Sequence, residues 1–192
     1  TVVKFEEGDQ LFIGHESNNA YRGALQADGV TFTRLDEGYN WPGINFRNYA
    51  DNDESYIDNC VIEYGNDGVY CVSSDPTITN STFRYNVDGV EANDDSEPVL
   101  IGNTFIENTR PVSIYAAQID SNLYDNTYLD NTKNYIEVFD RTLNENRVYD
   151  WLMDGAPYVI ADDIYVYRNN NPNELSILKI YPGTVVKFEE GD

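Results

Sequence analysis

Cations, sulfur and long apolar runs are what this chain has least of. Over 192 residues, 12 Lys and Arg face 34 Asp and Glu, for a formal net charge of −22. That balance excludes nucleic acid as a partner, because holding phosphates takes clustered cations. The acidity serves either to recruit divalent cations or to keep a repetitive surface soluble. There is one histidine, His15, so no histidine pair exists for a metal, and a surface-loop position is expected for it. Two cysteines, Cys60 and Cys71, make neither a disulfide framework nor a Cys-x-x-Cys pair for zinc. Two buried thiols or a single bridge both fit them. No apolar run approaches the ~18 residues of a membrane span, so insertion by this segment is not expected. Nor does an apolar stripe recur at i, i+3, i+4 and i+7, which removes amphipathic helices from consideration.

What the chain does have is aromatic and repetitive. Aromatics are 14% and hydrophobic residues 41% of the chain, too many for disorder despite the charge. Its 16 tyrosines suit strands. The nine residues from Thr1 to Asp9 return letter for letter as Thr184 to Asp192, a period of 183 residues. We therefore expect one repeat unit, 1–183, followed by the start of the next, 184–192, with Val2, Val3 and Phe5 and their counterparts Val185, Val186 and Phe188 stacking between units.

A shorter period lies inside. Ile62, Phe83, Phe105 and Tyr128 follow one another at 21, 22 and 23 residues. Gly43-Ile44, Gly68-Val69, Gly89-Val90, Pro111-Val112 and Tyr135-Ile136 form a second ladder. Ile57, Ile78, Leu100 and Leu123 form a third. Alternation within each run points one residue inward and its neighbours outward, and Gly, Asn, Asp and Pro fill the corners. Stacked coils must keep one length register, which sandwich strands need not do. An all-β parallel β-helix with three short strands per coil is expected, its coils hydrogen-bonded above and below. Placing Phe5, Phe32, Ile62, Phe83, Phe105, Tyr128 and Tyr158 on one face gives about seven coils, or roughly 34 Å of rod at about 4.8 Å per strand, with the cycle closing on the face where it began. Residues 140–156 fit least well, and Trp151-Leu152-Met153 is compatible with a strand, a short helix or a corner. Ser81, Asn103 and Asn126 fall at one corner of successive coils, and Asn86, Asn108 and Asn131 at another, where stacked side chains can satisfy the buried backbone of a tight bend.

The runs Ile180-Tyr181-Pro182-Gly183-Thr184-Val185-Val186-Lys187-Phe188, Leu25-Gln26-Ala27-Asp28-Gly29-Val30-Thr31-Phe32-Thr33, Trp41-Pro42-Gly43-Ile44-Asn45-Phe46 and Asn103-Thr104-Phe105-Ile106-Glu107-Asn108 resemble the right-handed parallel β-helix repeat family, the group with a pectate-lyase-like fold. The chain is similar to its large secreted or cell-surface members that carry such segments in series. The resemblance implies a right-handed solenoid and an extracellular or cell-surface location. It leaves function open, since the fold hosts both enzymes and inert stalks.

Enzymes of that family attack acidic polysaccharides with clustered Asp, often with calcium, and with Arg or Lys on one face. The candidates here are Asp94-Asp95, Asp162-Asp163 and Asp51-Asn52-Asp53-Glu54. Adjacent strand residues point to opposite faces, and a strongly acidic chain repels a polyuronate, so catalysis is not expected. Calcium is the one cofactor candidate, at Asp51, Asp53 and Glu54 or at Asp94 and Asp95, although the usual calcium-loop signatures are missing. Tyr70, Tyr115 and Tyr165 are candidates for stacking on sugar rings. The expected role is a non-enzymatic structural repeat of a fibre or stalk, with identical units as partners end to end. The alternative is a polysaccharide-binding adhesin, or a lyase or hydrolase, with cell-surface polysaccharide as partner.

Overall fold

A computed structural model describes residues 1–120, 122–139, 141–167 and 173–189. Among the described residues there are 23 strands and no helix, and every strand pairing is parallel. The strands are mostly three or four residues long because a corner follows each of them. The chain visits three sheets in rotation, so each strand pairs with its equivalent one coil away. A six-stranded sheet runs Val2–Phe5, Thr31–Arg34, Val61–Glu63, Thr82–Arg84, Thr104–Ile106, Thr127–Leu129. An eight-stranded sheet runs Leu11–Ile13, Ile44–Phe46, Asp67–Val72, Asp88–Asn93, Arg110–Tyr115, Ile136–Phe139, Tyr158–Ile160, Val186–Phe188. A five-stranded sheet runs Gln26–Asp28, Tyr56–Asp58, Thr77–Thr79, Val99–Ile101, Leu123–Tyr124. This is a parallel β-helix.

The core is the set of inward residues in register. Phe32, Ile62, Phe83, Phe105 and Tyr128 pair in turn. The Phe83, Phe105 and Tyr128 rings lie stacked, with centroids 5.0 and 5.3 Å apart. Ile44, Val69, Val90, Val112 and Ile136 line the eight-stranded sheet, and Ile57, Ile78, Leu100 and Leu123 the five-stranded one. All of these are buried. Cys60 and Cys71 are buried and free.

Two corners turn by one device. The residue before each ladder position has positive φ: Asn59, Asn80, Gly102 and Asp125 at one corner, and Tyr64, Tyr85, Glu107 and Asp130 at the other. Outside glycine this conformation costs about 1–2 kcal/mol per residue, so the next residue must hold the bend. At the first corner the Cys60 amide donates to Ser81 Oγ, Ser81 N to Asn103 Oδ1, Asn103 N to Asn126 Oδ1, and Asn126 N to Asp154 Oδ1. At the second, Gly65 N donates to Asn86 Oδ1, Asn86 N to Asn108 Oδ1, and Asn108 N to Asn131 Oδ1. Asn amides also donate backwards, as Asn103 Nδ2 does to Ile78 O and Asn108 Nδ2 to Phe83 O. Asp154 ends the first ladder as a carboxylate, accepting from Asn126 and from Tyr128 Oη at 2.6 Å. No donor is required of it, because the stack stops there.

Three expectations are corrected. Val3, not Phe5, pairs with Phe32. Phe5 lies two residues further on, stacked on Trp41 with centroids 4.3 Å apart. Tyr158 belongs to the eight-stranded sheet, not to the Phe105 face. From Asp154 the chain reaches Tyr158 in four residues through an antiparallel bridge, Asp154 to Ala156, which leaves no room for a further strand on the six-stranded face. Gly155 makes this corner possible: its φ is 63°, and a Cβ there would lie 2.4 Å from Asn126 O. Finally, the repeated nonapeptide does not return to its starting face. Val2–Phe5 ends the six-stranded sheet against Thr31–Arg34, whereas Val186–Phe188 ends the eight-stranded sheet against Tyr158–Ile160. The coil changes cross-section on the way, gaining the pairs Arg141–Leu143 with Ile164–Val166 and Val148–Trp151 with Ile177–Ile180. Trp151 thus closes a strand, and Leu152-Met153 belongs to the corner after it. Asp140 and residues 190–192 of the second nonapeptide lie outside the described residues.

Candidate functional site

The outer face of the eight-stranded sheet carries a connected set of ion pairs. In its second ladder the residue before each Gly or Pro is Asp67, Asp88 or Arg110, and these three are in register. Three positions on, Tyr70, Glu91, Ser113 and Glu137 form a second outward row. Arg110 clamps Asp88 with two nitrogens, Nε at 2.6 Å from Oδ1 and Nη2 at 2.6 Å from Oδ2. Its Nη1 reaches Glu137 Oε2 at 3.0 Å, and Lys133 Nζ meets Glu137 Oε1 at 2.6 Å. Asn93 Nδ2 donates to Glu91 Oε1 and to Tyr70 Oη. The Ser113 hydroxyl is fully buried and has no partner among the described residues.

Asp67, Asp88 and Glu91 can bring one oxygen each within 4.8 Å of one another, and they are the only such acidic triad among the described residues. Burial, then the Glu91 and Asp88 charges, push the Asp67 carboxyl up to about 7, with Arg110 opposing. Burial and Asp88 likewise raise Glu91. A cation at this triad would find hard oxygen ligands. Arg110 already neutralises Asp88, however, so the arrangement acts first as a charge lattice binding coil to coil.

The raised Asp67 has a consequence for stability. In the unfolded chain it ionises near 3.8, and in the native one near 7. The native state therefore holds the extra proton in between, and stability falls as pH rises across that window. Asp67→Asn should raise the melting temperature at pH 8 and change it little at pH 4. An equal change at both pH values would contradict this.

Beside the lattice lies an open groove of about 470 Å³ lined by Glu91, Asn93, Tyr115, Phe139, Ala161 and Asp162. Tyr115 and Phe139 meet there at a tilt of 57°, with centroids 5.6 Å apart. Tyr70 lies in the row above, and Tyr165 is exposed elsewhere, its hydroxyl donating to Asp163 Oδ2.

The carboxylates that the sequence offered for calcium or for catalysis lie outside the triad of Asp67, Asp88 and Glu91. Asp51 pairs with Arg22 at 2.6 Å. Glu54 accepts from Gln26 Nε2, and Asp53 faces solvent. Within that acidic run it is Asn52 that joins the stack, exchanging bonds with Asp75, whose Oδ1 accepts from Glu97 N in the next coil. Asp94 occupies a turn with φ 55° beside Asp95. Asp162 Oδ1 accepts from the Asp163 amide. His15 Nδ1 accepts from Ser17 N, and its ring lies 5.6 Å from Tyr21. The lattice acids went unnoticed in the sequence although the signal was present, as Asp-Gly-Val, Asp-Gly-Val and Arg-Pro-Val one coil apart.

No curated protein and no solved structure matches the chain. A family model described as a right handed beta helix region matches residues 17–172. With parallel strands, three sheets in rotation and coil-to-coil polar ladders in the same residues, the chain belongs to the right-handed β-helix family.

Proposed function

We propose that the chain is a non-enzymatic structural repeat of an extracellular or cell-surface fibre or stalk, in which identical units follow one another end to end. One observation carries this: the same nonapeptide supplies the outermost strand at both ends of the rod, in the six-stranded sheet at one end and the eight-stranded at the other. Open parallel edges invite pairing. Apolar side chains gather beside them, with Val2 60% and Phe12 47% exposed at one end and Phe188 72% and Leu175 65% at the other. Along the sides Asp88, Glu137 and Glu97 are bound to Arg110, Lys133 and Arg147, which suits a lattice holding coils together better than a reaction centre. The net charge of −22 keeps the flanks soluble.

Small-angle X-ray scattering tests the proposal. A chain carrying residues 1–183 twice before 184–192 should lengthen by roughly 34 Å, about seven coils at about 4.8 Å, with an unchanged cross-section. Two bodies on a flexible link would overturn it.

Polysaccharide binding has one observation in its favour, the groove at Tyr115 and Phe139, where ring faces and flanking carboxylates suit a neutral glycan. Calorimetric titration with neutral glycans should then give heat that Phe139→Ala abolishes. No heat with any of them leaves the stalk alone.

A further inference from the structure

We infer that one nonapeptide serves two units at once, as the last strand of the eight-stranded sheet of one unit and the first strand of the six-stranded sheet of the next. The inference rests on the end-to-end stalk and specifies its joint.

The backbone supports it by parity. In the first copy the outward carbonyls that accept are Thr1 O, from Thr31 N, and Phe5 O, from Leu35 N. In the second copy Val185 O accepts from Tyr158 N, and Glu189 N donates to Ile160 O. Val185 and Glu189 are the counterparts of Val2 and Glu6. The first site therefore uses odd-numbered members of the nonapeptide and the second uses even-numbered ones. In an extended strand the N–H and C=O of one residue point to the same side and alternate sides from residue to residue. A single strand can thus satisfy Tyr158–Ile160 on one side and Thr31–Arg34 on the other without sharing a group.

The registers agree as well. Tyr158 and Ile160 face Val186 and Phe188, the counterparts of Val3 and Phe5, which face Phe32 and Arg34. Fused, the inward row reads Tyr158, Val186, then Phe32 of the next unit. Phe188, now the most open large side chain of its strand, would gain the stacking partner that Phe5 already has in Trp41. By chain order the Ile164–Val166 and Ile177–Ile180 strands would then receive Leu11–Ile13 and Gln26–Asp28 of the following unit. Each unit is consequently turned by one side of the coil relative to its neighbour. This accounts for the differing surroundings of two identical segments.

Amide exchange read residue by residue by NMR tests the joint. In the 192-residue chain the Val186 and Phe188 amides face the open edge, while those of Lys187 and Glu189 face Tyr158–Ile160. With residues 1–183 doubled before 184–192, Val186 and Phe188 should slow by roughly tenfold or more, with Lys187 and Glu189 protected in both chains. Equal exchange of Val186 and Phe188 in the two chains would overturn the joint. If the doubled chain still scatters as a straight rod, that result leaves the stalk standing with some other contact between units. If it scatters as two linked bodies, the stalk falls too. A second variant, Trp41→Ala in the following unit only, should speed exchange at Phe188 in the doubled chain, and no change there would count against the shared strand.

Discussion

Asn108→Ala is expected to lower the unfolding free energy by about 3–5 kcal/mol, the largest loss from removing so few atoms. Asn108 Oδ1 accepts from Asn86 N, and its Nδ2 donates to Phe83 O and to Asn131 Oδ1, all in a fully buried corner. Truncation orphans the Asn86 N–H, at about 1–3 kcal/mol for a buried unpaired group, and takes one bond each from Asn86 Nδ2 and from the Phe83 carbonyl, at about 0.5–1.5 kcal/mol apiece. It also releases the bend at Glu107, whose φ of 55° only a held corner sustains. Urea unfolding would show a lower midpoint with an unchanged slope. A loss below about 1 kcal/mol would mean that the ladder is a consequence of the stacking and not one of its causes. Asn108→Asp should also destabilise, since the carboxylate would face Asn131 Oδ1 with no proton to give. The same residue type is tolerated at Asp154 because nothing lies beyond it.

Arg110→Met is expected to cost about 2–4 kcal/mol, somewhat below the usual range for breaking a buried ion pair, because the Arg110 side chain is itself 29% exposed. Its removal leaves Asp88, 3% exposed, without its clamp and Glu137 with Lys133 alone. Its removal also takes away the charge that opposes the upward shifts of Asp67 and Glu91, so the loss should grow as pH rises from 5 to 8. Combining Arg110→Met with Asp88→Asn should recover a good part of it in thermal unfolding. Additive losses would show that Arg110 acts through packing and not through charge.

The parts of the fold legible in the sequence are those where one coil copies the next. Ile57, Ile78, Leu100 and Leu123 share an inward position and a near-constant spacing, so they betray the five-stranded sheet directly. The Asn corners are legible for the same reason, since only a side chain with both a donor and an acceptor can serve every middle rung. Legibility fails where copying stops. Asp154 follows Asn126 by 28 residues, not 23, and changes residue type, so the end of the ladder and the lost strand at Gly155 are written only in local geometry. Phe5 misleads because its ring answers to Trp41, a neighbour outside the repeat. The identical nonapeptides mislead in a different way. Sequence identity fixes the strand, but the sheet it joins depends on how many sides the coil has at that level. In the charge lattice, spacing alone would have aligned Asp67, Asp88 and Arg110. What it could not give is that a cation follows two anions and so turns an acidic row into a clamp. The role of Asn52 is hidden beside Asp51, Asp53 and Glu54, because charge is conspicuous in a sequence and a corner hydrogen bond is not.

The fold depends on backbone hydrogen bonds that run from coil to coil along one axis. Scalar couplings across hydrogen bonds, measured by NMR on the 192-residue chain, test this most directly. They should link the amide of Val61 to the carbonyl of Val30, Thr82 to Cys60, Thr104 to Ser81 and Thr127 to Asn103. Couplings from these amides to carbonyls on an adjoining antiparallel strand a few residues away, as in a hairpin sandwich, would contradict it.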